Sequence, residues 1–193
     1  MTVDLADPIA VMLVASGAFR AAGLEALAYG GLVVAMYGRP RETQDADLAI
    51  ATATVDAAHA ALVDAGLNVT LAFADMRFGG CTVSRLTLLG GGELNTVDLV
   101  RPRSARFAAQ VLVRGVEGTL RGEAIRVVSA EDYVLLKILA TRDRDLEDAR
   151  SVLDHQQGRL DEALLMREAQ DLATELPDHD IRGRAKTLGL NLR

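Results

Sequence analysis

Apolar positions recur at helical spacing over residues 7–27, so DPIAVMLVASGAFRAAGLEAL predicts a helix with Asp7 as N-cap and Pro8 at its first position. GLVVAMYG, a short β-branched run bounded by glycines, predicts a buried strand over 32–37. A second strand is expected over 46–50. TVDAAHAALVDAG then predicts a helix over 54–66, capped by Thr54 and ended by Gly66. LNVTLAF over 67–73 reads as a strand. CTVSRLTLLGGGELNTVDLV reads as two strands joined at Gly90-Gly91-Gly92, an antiparallel hairpin. A helix near 104–111 and a short β pair within 113–129 follow. From Ser129 onward the spacing is helical throughout, and Ser129 with Asp132 resembles a capping box.

The order helix, strand, strand, helix, strands, helices predicts an α+β fold: a mixed β-sheet with helices packed on it and a helical C-terminal part. We divide the chain into an α/β core over 1–128 and a helical part over 129–193 packed on it as one structural unit. No βαβ repeat is evident, which argues against a Rossmann sheet. The amphipathic segment EALLMREAQDLATEL is expected to complete the core.

Composition narrows the setting. The chain has 193 residues, half of them hydrophobic, enough for one well-cored domain. No apolar run reaches the roughly 18 residues of a membrane span, and the first residues are acidic where a signal peptide would be basic. Cys81 is the single cysteine, in keeping with a reducing compartment. These features point to a cytoplasmic protein without membrane partners. A net charge of −6 leaves long nucleic acid dependent on a local basic patch.

The chemistry concentrates in two aspartate strands. In a strand, residues two apart share a face, so Asp45 and Asp47 project together while Ala46, Leu48 and Ile50 point the other way. Carboxylates held that close repel, and a divalent cation relieves them. Asp98 lies in the apolar strand LNTVDLV, where a lone aspartate is costly unless paired or metal-bound. If the two strands are neighbours, three carboxylates converge as in a two-metal phosphoryl-transfer site, and Asp98 is placed to help deprotonate an attacking hydroxyl.

Other residues carry two readings each. Gly30-Gly31 suits a phosphate-binding backbone nest or a helix C-cap. Arg39, Arg41, Arg101, Arg103 and Arg106 suit a triphosphate or a solvated loop. Lys137, between Leu136 and Ile138, either snorkels to water or reaches a phosphate as a point charge. His59, His155 and His179 lack metal-ligand spacing.

Taken together, YGG…RPRETQDADLAI resembles the glycine-pair and D-x-D motif of the nucleotidyltransferase superfamily related to DNA polymerase β. Thirteen residues separate Gly31 from Asp45. The stretch RETQDADL looks most like the branch of AbiEii-type toxins and their small relatives, and VVSAEDYVLLKILATRDRDLEDARSVL is similar to their downstream segment. The likeness covers roughly residues 23–155.

The resemblance implies that Gly30, Gly31, Arg41, Thr43 and Lys137 hold the nucleotide. It implies that Asp45, Asp47 and Asp98 are the catalytic carboxylates and bind Mg²⁺, two ions with the NTP, and that Asp145 or Asp148 gives acidic support. The implied activity is transfer of an NMP from an NTP to a hydroxyl of tRNA, protein or a small molecule, with a cognate antitoxin as a further partner. A non-catalytic nucleotide- or partner-binding relative is the alternative. Many family members carry serine where this chain has Gly31, so phosphate contact there falls to backbone.

Overall fold

The computed structural model describes residues 3–192. One seven-stranded mixed sheet has the order β3-β4-β5-β2-β1-β7-β6. Its strands are β1 (Ala26–Tyr29), β2 (Ala46–Ile50), β3 (Val69–Phe78), β4 (Cys81–Gly90), β5 (Glu93–Pro102), β6 (Val116–Leu120) and β7 (Glu123–Val127). The helices are α1 (Pro8–Ala21), α2 (Val34–Tyr37), α3 (Val55–Asp64), α4 (Ala105–Val113), α5 (Ala130–Leu139), α6 (Asp143–His155), α7 (Glu162–Glu175) and α8 (Ile181–Thr187). The fold is therefore α+β, as the order of elements predicts. No helix among the described residues is long and apolar enough to cross a membrane.

Side-chain caps set several boundaries. Asp7 accepts from the Ile9 amide at 3.1 Å, Thr54 from Ala57 at 3.2 Å, and Ser129 from Asp132 at 3.1 Å, each satisfying an amide that its helix leaves open. Helix α1 packs against α3 and against β1, β2 and β5, while α4 lies on β2 and β5. Val11, Met12, Phe19, Leu27, Leu48 and Leu99 are fully buried or nearly so in that core. Among the last helices, α5 is buried almost throughout and packs on α6, α7 and α8.

Three element boundaries differ from those expected. The run at 32–37 is not a strand: a 3-10 turn over Gly30–Leu32 leads into the short helix α2, and the strand lies one segment earlier, at β1. Val33 and Val34 are buried there, so packing overrides their strand preference. Helix α1 stops at Ala21, which frees the chain to form β1. β3 extends to Phe78 through two register shifts, with Asp75 in the left-handed region at φ 47°.

Candidate active site

The sheet register defines the site. Tyr29 pairs with Asp47, Asp47 with Asp98, Asp98 with Arg85, and Arg85 with Phe73. Directly opposed residues share a face of a sheet, so these five side chains form one row across β1, β2, β5, β4 and β3. The row lines a cavity of about 270 Å³, which Gly30, Lys137 and Phe78 also border.

At the centre stand the carboxylates. Asp47 reaches the cavity, where burial, then Asp98 and Asp45, push its carboxyl up to about 7 against the opposing charges of Lys137 and Arg142. Both oxygens of Asp98 accept from Arg85, at 2.7 Å from Nε and 2.7 Å from Nη2. Arg85 Nη2 also lies 3.7 Å from Asp45 Oδ2, while Asp45 Oδ1 accepts from Thr96 Oγ1 at 2.8 Å. The guanidinium thus links Asp45 to Asp98. Among the described residues, no three His, Cys, Asp or Glu side chains form a group that could hold a metal ion by itself.

The glycine turn closes one end. Gly30 adopts φ 75°, a left-handed conformation open to glycine, and a Cβ there would lie 1.9 Å from Asp47 Oδ2. Its carbonyl accepts from the Tyr133 hydroxyl at 3.1 Å. A Cβ on Gly31 would lie 2.6 Å from Thr43 Cβ, 2.7 Å from Thr43 Oγ1 and 2.9 Å from Arg41 Nη1. The Thr43 side chain therefore occupies the space that a residue-31 side chain would need.

Behind this turn is a buried charge network. Lys137, 2% exposed, sits with Nζ 2.9 Å from Asp145 Oδ1 and 3.0 Å from Asp148 Oδ2. It also lies 5.3 Å from the Tyr29 ring centroid and 5.5 Å from that of Tyr133. Arg41 grips Asp148 at 2.9 and 3.0 Å, and the Arg142 amide donates to Asp145 at 3.2 Å. Burial raises both carboxyl pKa values. Lys137 with Arg142 at Asp145, and Arg41 with Lys137 at Asp148, bring them below the usual range. Lys137 does not snorkel to water: it joins α5 to α6 beneath the glycine turn.

Residues 10–188 match a family model described as "Nucleotidyl transferase of unknown function (DUF2204)". The chain belongs to that family. As a nucleotidyl transferase it is an enzyme by class, and the superfamily implied by the glycine pair and D-x-D motif is the one found. No curated protein matches it significantly.

Among solved structures, similarity to a candidate nucleotidyltransferase from H. pylori has a TM-score of 0.49 at 15% identity, covering 93% of this chain and 88% of that one. JHP933 from Helicobacter pylori gives 0.49 at 16%, covering 93% and 86%. ANT(2″)-Ia in complex with adenylyl-2″-tobramycin gives 0.47 at 15%, covering 88% and 97%.

The arginines divide by position. Arg41 borders the glycine turn. Arg101 donates to the Ala53 carbonyl at 2.7 Å, Arg103 to Asp178 at 2.9 and 3.1 Å, and Arg106 to Glu168 at 2.7 Å and Glu175 at 2.6 Å. Arg103 and Arg106 thus fasten the sheet and α4 to the C-terminal helical region. Sequence reasoning missed Arg85, Tyr29, Tyr133, Phe73 and Phe78. For Arg85 a signal existed: counting back five residues along each strand from the Gly90–Glu93 pair sets it opposite Asp98.

Proposed function

We propose that this cavity catalyses Mg²⁺-dependent transfer of a nucleoside monophosphate from an NTP to an acceptor hydroxyl. In that reaction the acceptor oxygen bonds to the α-phosphorus, the bond to the β-phosphate bridging oxygen breaks, and pyrophosphate leaves. The observation that carries the reading is the row itself. It puts Asp47 beside Asp98 with the Gly30 backbone against the Asp47 carboxylate, in a chain of the nucleotidyl transferase family.

The donor chemistry fits the metal. Hard cations take oxygen ligands and commonly use one or two carboxylates plus substrate phosphates. Asp47 is a carboxylate whose ionisation is penalised by burial and neighbouring negative charge, so a cation beside it is favoured. Asp45 and Asp47 would hold Mg²⁺ together with the substrate phosphates, Asp98 joining them only where Arg85 releases it, and the ion would neutralise charge on the reacting phosphates. Gly30 and Gly31 offer backbone to the phosphates, and Thr43 supplies beside Gly31 the hydroxyl that the glycine lacks. Arg41 and Lys137 add positive charge behind the turn. Asp98 receives the acceptor proton once Arg85 yields one of its oxygens.

The acceptor is a hydroxyl of RNA, protein or a small molecule. The AbiEii-type toxin role extends the sequence resemblance, and growth arrest on expression, relieved by a neighbouring gene product, tests it. The site itself is tested by Mn²⁺ binding, with ATP present, to the wild type and to Asp45→Asn/Asp47→Asn. Loss in the variant supports the proposal, and equal binding by both proteins refutes it.

A further inference from the structure

The cavity has a second end, formed by Phe73 and Phe78 of the edge strand β3. Their ring centroids are 6.3 Å apart with planes at 50°, a tilted contact. The Arg85 guanidinium carbon lies 5.8 Å from the Phe73 centroid, a cation–π distance. Because Arg85 is also clamped to Asp98, the carboxylates and the aromatic pair are mechanically joined. Phe78 is 40% exposed and borders the cavity at the end opposite the buried Lys137. Arg85 takes one side of Phe73, and the exposed Phe78 ring borders the cavity beside it.

The two ends complement one kind of molecule. Glycine backbone and the buried Lys137 lie near β1, carboxylates at the centre, and the aromatic rings at β3. From β1 to β3 is four strand spacings, roughly 19 Å at about 4.8 Å each. That span accommodates an extended ligand with an anionic head and a planar aromatic tail.

We propose that Phe73 and Phe78 stack the nucleobase of the NTP, with Arg85 fixing the orientation of Phe73. This rests on the nucleotidyl-transfer reading above and adds to it the part of the nucleotide that the glycine and aspartate motifs leave unheld. Every base has a π-face, so the wall binds all four bases and favours purines by their larger ring area.

Calorimetric titration of ATP and of inorganic tripolyphosphate, with Mg²⁺, tests the subsite. Wild type, Phe73→Leu, Phe78→Leu and Phe78→Tyr are compared, since leucine keeps apolar bulk without a π-face. ATP should bind the wild type more tightly than tripolyphosphate. Each leucine variant should lose about tenfold in ATP affinity while tripolyphosphate is unchanged, and Phe78→Tyr should retain wild-type binding. ATP affinity unaltered in the leucine variants overturns the subsite alone. Parallel loss of both ligands also overturns it, by making the rings supports of the cavity. Failure of the wild type to bind either ligand overturns the subsite together with the function beneath it.

Discussion

Arg85 holds both oxygens of Asp98 at 2.7 Å from its position directly opposite on β4. A single guanidinium therefore compensates a carboxylate that the row sets against Asp47. If cation binding recruits Asp98, Arg85 and the cation compete for the same oxygens. Arg85→Ala should destabilise the metal-free protein by roughly 2 kcal/mol, the cost of leaving a mostly buried charge unpaired. Added Mg²⁺ should then raise the melting temperature of the variant more than that of the wild type. An equal Mg²⁺ shift in thermal unfolding would show that the two cations do not compete.

Lys137 is nearly inaccessible and serves two aspartates. Replacing it with methionine leaves Asp145 and Asp148 without their shared cation, though Arg142 and Arg41 remain on their outer sides. A loss of about 3 kcal/mol is expected, within the range for breaking one side of a buried pair. Urea unfolding measures it. A change below about 0.5 kcal/mol would mean that the arginines alone suffice.

Acid should expose the same network. At Asp148, burial acts upward, but the Arg41 hydrogen bond and the Lys137 charge prevail, so its carboxyl titrates below the ordinary value near 3.8. A carboxyl depressed by folding contributes stability that is fully present above its unfolded pKa and lost as pH falls through the folded one. Urea midpoints followed from about pH 5 downward should fall less steeply for Asp148→Asn than for the wild type. Parallel curves would remove Asp148 from the acid response.

Gly31 and Thr43 compete for one space. Gly31→Ser would set a Cβ 2.6 Å from Thr43 Cβ, closer than packed atoms tolerate. The single substitution should destabilise by about 1–3 kcal/mol, as overpacking does. Combining it with Thr43→Gly, which removes both the Cβ and the hydroxyl, should recover at least half of that loss. A double-mutant cycle detects the coupling, and additive effects would mean that the two side chains do not share the site.

Much of the plan was legible in the sequence. The caps Asp7, Thr54 and Ser129 each satisfy a specific amide, so short polar side chains marked three helix starts correctly. Strand β2 and the β4–β5 hairpin followed from alternation and from the glycines between them. The run 32–37 misled because its valines favour a strand in isolation, whereas Gly30 turns the chain and the core takes Val33 and Val34 in a helix. Gly30, Gly31, Asp45, Asp47 and Asp98 could be named from local patterns. Of their neighbours, Arg85 was within reach by counting from the hairpin turn, but Tyr29 and Phe73 were not, because three of the four strand pairings in the row join segments distant in sequence or run through bulges. Lys137 stood out by its apolar flanks, but its partners depend on how α6 packs.

Pyrophosphate release reports whether Asp45 and Asp47 support nucleotidyl transfer. Wild type and Asp45→Ala/Asp47→Ala would be incubated with each of the four NTPs, Mg²⁺ and a panel of RNA, protein and small hydroxyl acceptors. Release by the wild type that requires Mg²⁺ and is lost in the variant is the predicted result. Release that persists at the wild-type rate without these two carboxylates would exclude them from the reaction.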